Sequence, residues 1–316
     1  MSGASGIGGA RAASAARGAT IASPRWYAHP YNRAGFYRAA ALLGGVPRPA
    51  RLRLVRVLGR LAPRLFPVER MAVRRTLGRI TGAQGPELDR LTVDVFRNFA
   101  ACFSDLVSTN RRAAPRLLPE VAAITGAEAV TGLAGGVVSL TAHVGNWELA
   151  GRLLAHGAAR RTHVVVAVEE VPGLERWVRR NGDGVRFVPR ATPTVGIELV
   201  AALRRGEVVA VQGDRALGTR GDVVVPFFGA PARFPLGPFL LARAAGVPVV
   251  PAFCLLRRDG RYDVTVLPPR GVGRGDEPAA AREWVAALER VVGRDPTQWF
   301  NFYDVWAAPG SGAGPA

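Results

Sequence analysis

The pattern of hydrophobic and polar positions divides the chain into two parts of different periodicity. In the first part, residues 51–66 and 86–108 repeat apolar side chains every three or four positions, which is typical of amphipathic helices. After Gly126, short apolar runs of strand length alternate with helical stretches. Such alternation indicates strands joined by helical crossovers, and therefore a largely parallel sheet flanked by helices. We predict a single α/β domain with a helical N-terminal arm.

The second part predicts a definite series of elements. The expected strands are 137–141, 162–168, 185–188, 207–212, 248–256 and 261–267, and the expected helices lie at about 147–156, 174–180, 195–204, 239–245 and 283–292. The last two strands flank Arg258-Asp259-Gly260 and are expected to form an antiparallel pair. The expected organisation is a disordered tail at 1–24, the helical arm at 25–115, the α/β core at 116–306 and a disordered tail at 307–316.

A histidine and a carboxylate stand five positions apart where a strand gives way to a helix. Residues 136–141 predict the strand, and Asn146 can cap a helix that begins at Trp147. Because helical residues advance by about 100° each, His143 and Glu148 would not share a face of one helix. Glu148 is favourable near a helix N-terminus and can fold back toward the imidazole. The run therefore fits either a general base with its carboxylate partner, or a capped helix preceded by a histidine with a structural role.

This run resembles the histidine-x4-acid motif of the lysophospholipid and glycolipid acyltransferases. Similar blocks follow in the same order, at 206–215, at 221–238 and at 298–306, so that the resemblance spans about residues 31–306. The branch most similar to the chain comprises the late acyltransferases of lipid A biosynthesis and the phosphatidylinositol mannoside acyltransferases. The chain departs from that branch at Arg215, where Gln or His is commoner, and in lacking a hydrophobic transmembrane start. These departures concern the acyl donor and the mode of membrane attachment.

The resemblance implies an O-acyltransferase that acts peripherally at the cytoplasmic face of the inner membrane. It would move a fatty acyl group from acyl carrier protein or coenzyme A to a hydroxyl of a glycolipid or lysophospholipid, with the thioester as co-substrate and no other cofactor. His143 would be the general base and Glu148 would orient it.

Other candidate residues follow from the resemblance. Arg190 follows a predicted strand and aligns with a family arginine, which favours a role in binding the oxyanion or a substrate phosphate, although a surface arginine is the alternative. Arg215 and Arg233 are further candidates for anion binding. Asp214 could hold Arg190, Arg215 or a sugar hydroxyl, or form a structural salt bridge. His143, Arg190 and Asp214 all follow predicted strands, where ligands of open α/β sheets collect.

Three aromatic residues are candidates for the acyl groove. Trp147 lies within the first motif, and Phe227 and Phe228 lie within the third block. Consecutive phenylalanines beside a turn are also typical of a hydrophobic core.

The chain is strongly basic, with a net charge of +18 and an isoelectric point near 11.5. A positive field suits nucleic acid, anionic lipid headgroups or phosphorylated substrates, and arginine binds phosphate in a bidentate manner. We expect no nucleic-acid partner, because aromatic residues are not interleaved with the arginines in a binding motif. The alternative to an enzyme is a non-enzymatic basic protein that binds membranes or nucleic acid.

The helix predicted at 51–66 favours contact with an anionic membrane surface. Arginines at 53, 56, 60 and 64 follow one side, and leucines at 54, 58, 61 and 65 follow another. An ordinary surface helix that covers the core is the alternative. Aromatic residues at 26–37 could lie at a headgroup boundary or pack inside. The apolar window 236–256 contains Arg243 and three prolines, which favours buried elements over a membrane span.

The remaining reactive side chains predict neither a metal site nor a serine nucleophile. Cys102 and Cys254 have no metal-type spacing and are expected to be reduced core residues. The sequence contains no Gly-x-Ser-x-Gly motif of the nucleophile-elbow type.

Overall fold

The computed structural model describes residues 42–157, 159–166, 184–190, 193–216, 218 and 221–306. The first helices are α1 (Arg48–Leu65), α2 (Pro67–Thr81) and α3 (Gly85–Val107), and short 3-10 turns follow at Thr109–Arg111, Ala114–Arg116 and Leu118–Glu120. Several predicted segments lie outside the described residues. They are the two tails, the aromatic residues at 26–37, the helix at 174–180 and the end of the strand at 167–168.

The alternating half of the chain forms a seven-stranded sheet in the described part of the protein. Its strands are β1 (Val121–Thr125), β2 (Val137–Thr141), β3 (Thr162–Val166), β4 (Val185–Pro189), β5 (Val208–Gln212), β8 (Val249–Leu256) and β9 (Tyr262–Val266). They lie in the order β1-β9-β8-β2-β5-β3-β4. Neighbouring strands are parallel except β8 and β9, which pair antiparallel. The prediction of a largely parallel sheet with one antiparallel pair is confirmed.

Helices cover both faces of the sheet. They are α4 (Glu128–Thr131), α5 (Trp147–Gly157), α6 (Val195–Arg204), α7 (Gly237–Ala245) and α8 (Glu277–Arg294). Successive strand residues face opposite sides, and accordingly Val137 belongs to a core cluster with Leu52 and Leu149, whereas Val138 belongs to another with Leu203 and Trp284. The sheet is therefore the middle layer of three, with α1, α3 and α5 on one face and α6, α7 and α8 on the other.

The sequence patterns missed several elements and misplaced several ends. A two-stranded antiparallel hairpin of β6 (Asp222–Phe227) and β7 (Ala230–Pro235) stands apart from the main sheet. Helix α2 and strand β1 were also not predicted. Helix α8 begins six residues before the expected position 283, because Glu277 and Pro278 supply a favourable first turn that the apolar spacing does not show.

The side of helix α1 that is buried is not the leucine side that the sequence pattern suggests. Its contacts with the core come from Leu52, Val55 and Gly59, one turn apart. The predicted leucine face is exposed instead, with Leu54 at 41 %, Leu58 and Leu61 at 48 % and Leu65 at 74 % exposure. None of the helices in the described parts of the chain combines the length and apolar character required to cross a bilayer.

The helical arm is joined to the sheet by a buried ionic network. Asp105 near the end of α3 accepts hydrogen bonds from Arg48, from Arg51 at 2.7 Å and from the hydroxyl of Tyr262 at 2.8 Å. The side chains of Arg51 and Asp105 are fully buried. The network therefore connects α1, α3 and β9 at one point.

Cys102 and Cys254 are buried free thiols.

Candidate active site

Parallel pairing of β2 with β5 brings a histidine and an aspartate together at the edge of the sheet. The register places Thr141 opposite Gln212 at the carboxyl ends of these strands. His143 and Asp214 each follow two residues later, so that both chains leave the sheet side by side. Their proximity is therefore a consequence of strand order and register, and it lies where open α/β sheets bind ligands.

The carboxylate of Asp214 contacts both the ring and the backbone of His143. Its Oδ1 lies 2.8 Å from Nδ1 of His143, and its Oδ2 accepts the backbone N–H of His143 at 3.0 Å. Asp214 is fully buried and the imidazole is 10 % exposed. This two-point contact fixes the orientation of the imidazole. Because Nδ1 is engaged by Asp214, Nε2 is the ring nitrogen at which a general base would exchange a proton.

The surroundings of His143 and Asp214 keep the imidazole neutral and the carboxylate ionised, which is the state that a general base and its partner require. Burial opposes ionisation of Asp214, but the charge and hydrogen bond of His143, the charge of Arg215 and the indole N–H of Trp299 outweigh it and lower the pKa of Asp214 to about 2. Burial and the charge of Arg215 lower the pKa of His143, against the opposing effect of Asp214. At neutral pH the imidazole is therefore neutral and the carboxylate is ionised, so Nδ1 carries the proton.

The turn after His143 requires a glycine. Gly145 has a φ of +57°, and a Cβ atom there would lie 2.0 Å from the carbonyl oxygen of Cys254. Asn146 follows and caps α5, because its Oδ1 accepts the N–H of Leu149 at 3.2 Å. The predicted cap is confirmed. The helix therefore begins immediately beyond the imidazole.

The C-terminal segment lies against this turn and completes the site. The N–H of Phe300 donates to the carbonyl of His143 at 2.8 Å, and the N–H of Gly145 donates to the carbonyl of Gln298 at 2.9 Å. The indole Nε1 of Trp299 donates to Oδ2 of Asp214 at 3.0 Å. Residues 298–300, the start of the block at 298–306 that was noted for its resemblance, are thus part of the site.

Glu148 occupies the first turn of α5, as predicted, and is buried with 6 % exposure. Its Oε1 accepts Nε of Arg152 at 3.1 Å, one helical turn further on. The sequence interpretation gave Glu148 the orienting role, whereas the carboxylate on Nδ1 of His143 is Asp214. The catalytic role of Glu148 stays a prediction.

Of the three candidate arginines, Arg215 lies near His143 and Asp214, and its charge lowers the pKa of His143. Its guanidinium donates to the carbonyl of Phe300 at 2.9 Å and to Oδ1 of Asn301 at 3.2 Å. Arg190 is exposed after β4, and two strands separate β4 from β2. Arg233 is exposed on β7, in the separate hairpin. The roles of Arg190 and Arg233 stay predictions.

The three aromatic candidates have different surroundings. Trp147 is partly buried, with its ring centroid 5.1 Å from that of His143. It lines a small apolar pocket with side chains of α3, namely Phe99, Cys102, Phe103 and Leu106, and with Phe300. Phe227 is fully buried and packs on Trp299 and Trp306, so it belongs to the core. Phe228 is partly buried at the hairpin turn and packs on Phe227.

Sequence reasoning missed the partnership of Asp214 with His143 and the part played by Trp299. Both Asp214 and His143 follow a predicted strand by two residues, which was the available signal. The strand order that makes β2 and β5 neighbours was not deducible from the local pattern. Among the described residues, no group of three or more His, Cys, Asp and Glu side chains could hold a metal ion.

Comparison with known proteins identifies the family. The profile of the family described as "Bacterial lipid A biosynthesis acyltransferase" matches residues 33–307. The chain is 28 % identical over 177 residues to the phosphatidylinositol mannoside acyltransferase of Mycobacterium tuberculosis, which is 55 % of each protein. It is 31 % identical over 104 residues to the lipid A biosynthesis lauroyltransferase of Escherichia coli, which is 32 % of this chain and 34 % of that protein.

The chain spans about half the length of the mycobacterial relatives, including the enzyme of Mycolicibacterium smegmatis with 27 % identity and 57 % of its length covered. The profile match covers both the helical arm and the sheet, and includes His143, Asp214 and the C-terminal segment. The resemblance noted from the motifs is confirmed. The chain belongs to the bacterial lipid A biosynthesis acyltransferase family.

Proposed function

We propose that the protein transfers a fatty acyl group from a thioester to a hydroxyl of a glycolipid or lysophospholipid, with His143 as general base. The observation that carries the proposal is the contact of the buried, ionised Asp214 with Nδ1 of a neutral His143. This arrangement fixes the tautomer that has a basic Nε2. The acyl donor is a thioester of acyl carrier protein or coenzyme A, and the basic surface suits both, since each is negatively charged.

The reaction follows from the roles of these two residues. Nε2 of His143 takes the proton from the acceptor hydroxyl as its oxygen attacks the thioester carbonyl. The carbon–sulfur bond then breaks, and the imidazolium returns the proton to the departing thiolate. Asp214 stabilises the imidazolium between the two steps, in the manner of histidine–carboxylate pairs in hydrolases. An ester forms and a thioester is consumed, with no net change in protons.

Arg215 is our candidate for stabilising the negative charge that develops on the carbonyl oxygen. It is anchored to the C-terminal segment through Phe300 and Asn301. A fixed positive charge stabilises a transition state more effectively than a mobile one, because it does not have to reorganise during the reaction. Arg190 remains a second candidate for a substrate phosphate.

The apolar pocket beside Trp147 is our candidate for the start of the acyl groove. Its lining is provided by α3 and by Trp147, whose ring packs against that of His143. A thioester carbonyl held at the imidazole would thus have an apolar surface next to it. Exclusion of water from such a groove would protect the thioester from hydrolysis.

We also propose that the protein acts at a membrane surface, with α1 and α2 as the docking face. Exposed apolar residues continue from α1 into α2, at Leu54, Val57, Leu58, Leu61, Leu65, Val68 and Met71. Helix α1 contains no acidic residue, and exposed arginines flank the apolar residues at 53, 60, 64, 70 and 75. Such a surface combines burial of apolar side chains in lipid with attraction to anionic headgroups. The cytoplasmic face of the inner membrane offers both the lipid interior and the anionic headgroups.

A thioester-release assay with purified protein, candidate acceptor lipids and both donors tests the proposal. His143→Ala is expected to lower the acceptor-dependent rate by about 10²-fold or more, as for loss of a general base. Asp214→Asn tests the observed partner of Nδ1, and Glu148→Gln tests the partner that the sequence suggested. We expect Asp214→Asn to cost more than Glu148→Gln. Wild-type rates in His143→Ala would overturn the assignment, and the reverse order of the other two would restore Glu148 to the orienting role.

A further inference from the structure

Trp299 is the third hydrogen-bond donor to the carboxylate of Asp214. Oδ2 of Asp214 accepts the backbone N–H of His143 and the indole N–H of Trp299, both at 3.0 Å, while Oδ1 contacts the imidazole. Asp214 is fully buried, where an ionised carboxylate depends on such donors for its stability. The rotation of the carboxylate about its Cβ–Cγ bond, and therefore the aim of Oδ1, is set in part by Trp299.

The indole is held in place independently of Asp214. Trp299 is 2 % exposed and packs edge-on against Phe227, with ring centroids 5.4 Å apart. Its backbone forms an antiparallel bridge to Val144. The hydrogen bonds of Gln298 and Phe300 with the turn at 143–145 fix the segment on both sides. A donor fixed in this way can restrain a flexible partner.

We propose that Trp299 is a positioning residue, which acts on the reaction through Asp214 by holding the carboxylate against Nδ1 of His143. The kinetic consequences rest on the proposed function, whereas the effect on the histidine itself does not. Without the indole donor, the carboxylate can rotate away from Nδ1 of His143. The imidazolium is then stabilised less strongly, and the pKa of His143 falls. Among the described residues, Arg215 and Asp214 are the charged groups that act on His143, and the substitution changes neither side chain.

The rival explanation is that Trp299 only fills the core, and the chain offers a matched control for it. Trp306 also donates its indole N–H to an acceptor at 3.0 Å, the carbonyl of Phe227, and stacks on the same phenylalanine ring. Trp299→Phe and Trp306→Phe therefore each remove an indole hydrogen bond from one aromatic cluster. Only the first removes it from Asp214.

The kinetic experiment measures kcat and KM for Trp299→Phe and Trp306→Phe, alone and in an Asp214→Ala background. A lost hydrogen bond to a charged group is expected to lower kcat by about tenfold to hundredfold in Trp299→Phe, with KM unchanged. Trp306→Phe keeps the wild-type kcat. In the Asp214→Ala background, Trp299→Phe has no further effect, because the two residues act as a unit. An equal loss of kcat in that background, or in Trp306→Phe, would overturn the proposal.

The decisive experiment titrates His143 by nuclear magnetic resonance in protein with labelled histidine, and requires no activity. The signal is assigned by its absence in His143→Ala. Trp299→Phe is expected to lower the pKa of His143, and Trp306→Phe to leave it unchanged. An unchanged or raised pKa in Trp299→Phe would show that the carboxylate stays against Nδ1 without the indole, and would refute the positioning role even if the enzyme assay supports acyl transfer. A lowered pKa together with an active His143→Ala variant would instead support the positioning role and refute the proposed function.

Discussion

The side-chain amides of Asn110 and Asn146 bond to each other in both directions. Nδ2 of Asn110 lies 2.8 Å from Oδ1 of Asn146, and Nδ2 of Asn146 lies 3.2 Å from Oδ1 of Asn110. Both residues are buried. Asn110 follows α3, and Asn146 caps α5 beside His143. The pair therefore ties the helical arm to the turn that carries the candidate base.

Asn110→Ala is expected to destabilise the protein and to reduce its activity. The substitution leaves the buried amide of Asn146 without this partner, which costs about 1–3 kcal/mol. Thermal unfolding and the thioester-release assay measure the two effects. Asn98→Ala is the matched control, because Asn98 lies on α3 and bonds to Thr297 at a partly buried site. Equal losses of activity in the two variants would contradict a specific connection between Asn110 and the turn.

Gly145→Ala is expected to abolish activity and to lower stability strongly. The added Cβ atom would meet the carbonyl of Cys254, a backbone atom that cannot move aside, and the backbone there has a positive φ. Gly151→Ala, within the helix α5 that follows this turn, is the control. Its Cβ would meet Val164 at an ordinary 3.9 Å, and removal of a mid-helix glycine stabilises by about 0.5–1 kcal/mol. Tolerance of Gly145→Ala in thermal unfolding would contradict the geometry of the turn.

Most of the fold could be predicted from the sequence, because its elements follow local patterns of apolar and polar residues. The strand at 137–141 and the helix at 195–204 were predicted with the bounds that the structure has. The hairpin of β6 and β7 was missed, since prolines interrupt its alternation at Pro226 and Pro231. Helix α2 was missed because its apolar residues are sparse.

Only part of the candidate site could be predicted from the sequence, for a different reason. His143 could be recognised from its position between a strand and a capped helix. Its partner comes from a strand 71 residues later in the chain, and pairing over that distance depends on strand order. Sequence spacing favours local partners, which is why Glu148 was given the role. Trp299 was missed for the same reason, since it lies a further 85 residues beyond Asp214.

The acidic limb of the pH–rate profile is expected to lie below the ordinary histidine pKa of 6.5. Burial and Arg215 lower the pKa of His143, and a general base is active only when it is neutral. Activity therefore persists to lower pH than for an unperturbed histidine. Arg215→Gln removes a lowering charge and moves the limb of kcat/KM to higher pH. Asp214→Asn removes a raising charge and moves it to lower pH. Shifts of both variants in the same direction would contradict these electrostatic roles.

Asp105→Asn is expected to destabilise the protein by about 3–5 kcal/mol, the range for breaking a buried ion pair. Asp105 is the shared partner of Arg48 and of the fully buried Arg51, so the variant leaves buried positive charge without compensation. Urea unfolding measures the loss. Asp94→Asn is the control on the same helix, where the ion pair with Arg97 is partly exposed and is expected to contribute no more than about 1 kcal/mol. Similar midpoints for the two variants would show that the network does not join the arm to the sheet.

Flotation with vesicles tests the docking face on α1 and α2. The wild-type protein is expected to float with vesicles that contain phosphatidylglycerol and to be released by salt, because the arginines contribute through a screened attraction. Leu58→Glu with Leu61→Glu places negative charge on the exposed leucine face and is expected to weaken binding by at least about tenfold.

Ile197→Glu supplies the matched control for this face. Ile197 is 75 % exposed on α6, on the opposite side of the sheet. Its replacement adds one negative charge, where the leucine variant adds two, without changing the α1 surface, so flotation is expected to stay close to that of the wild type. If the two leucine substitutions leave flotation unchanged, the exposed leucines do not contact lipid. If Ile197→Glu weakens it equally, the loss reflects net charge rather than a defined docking face.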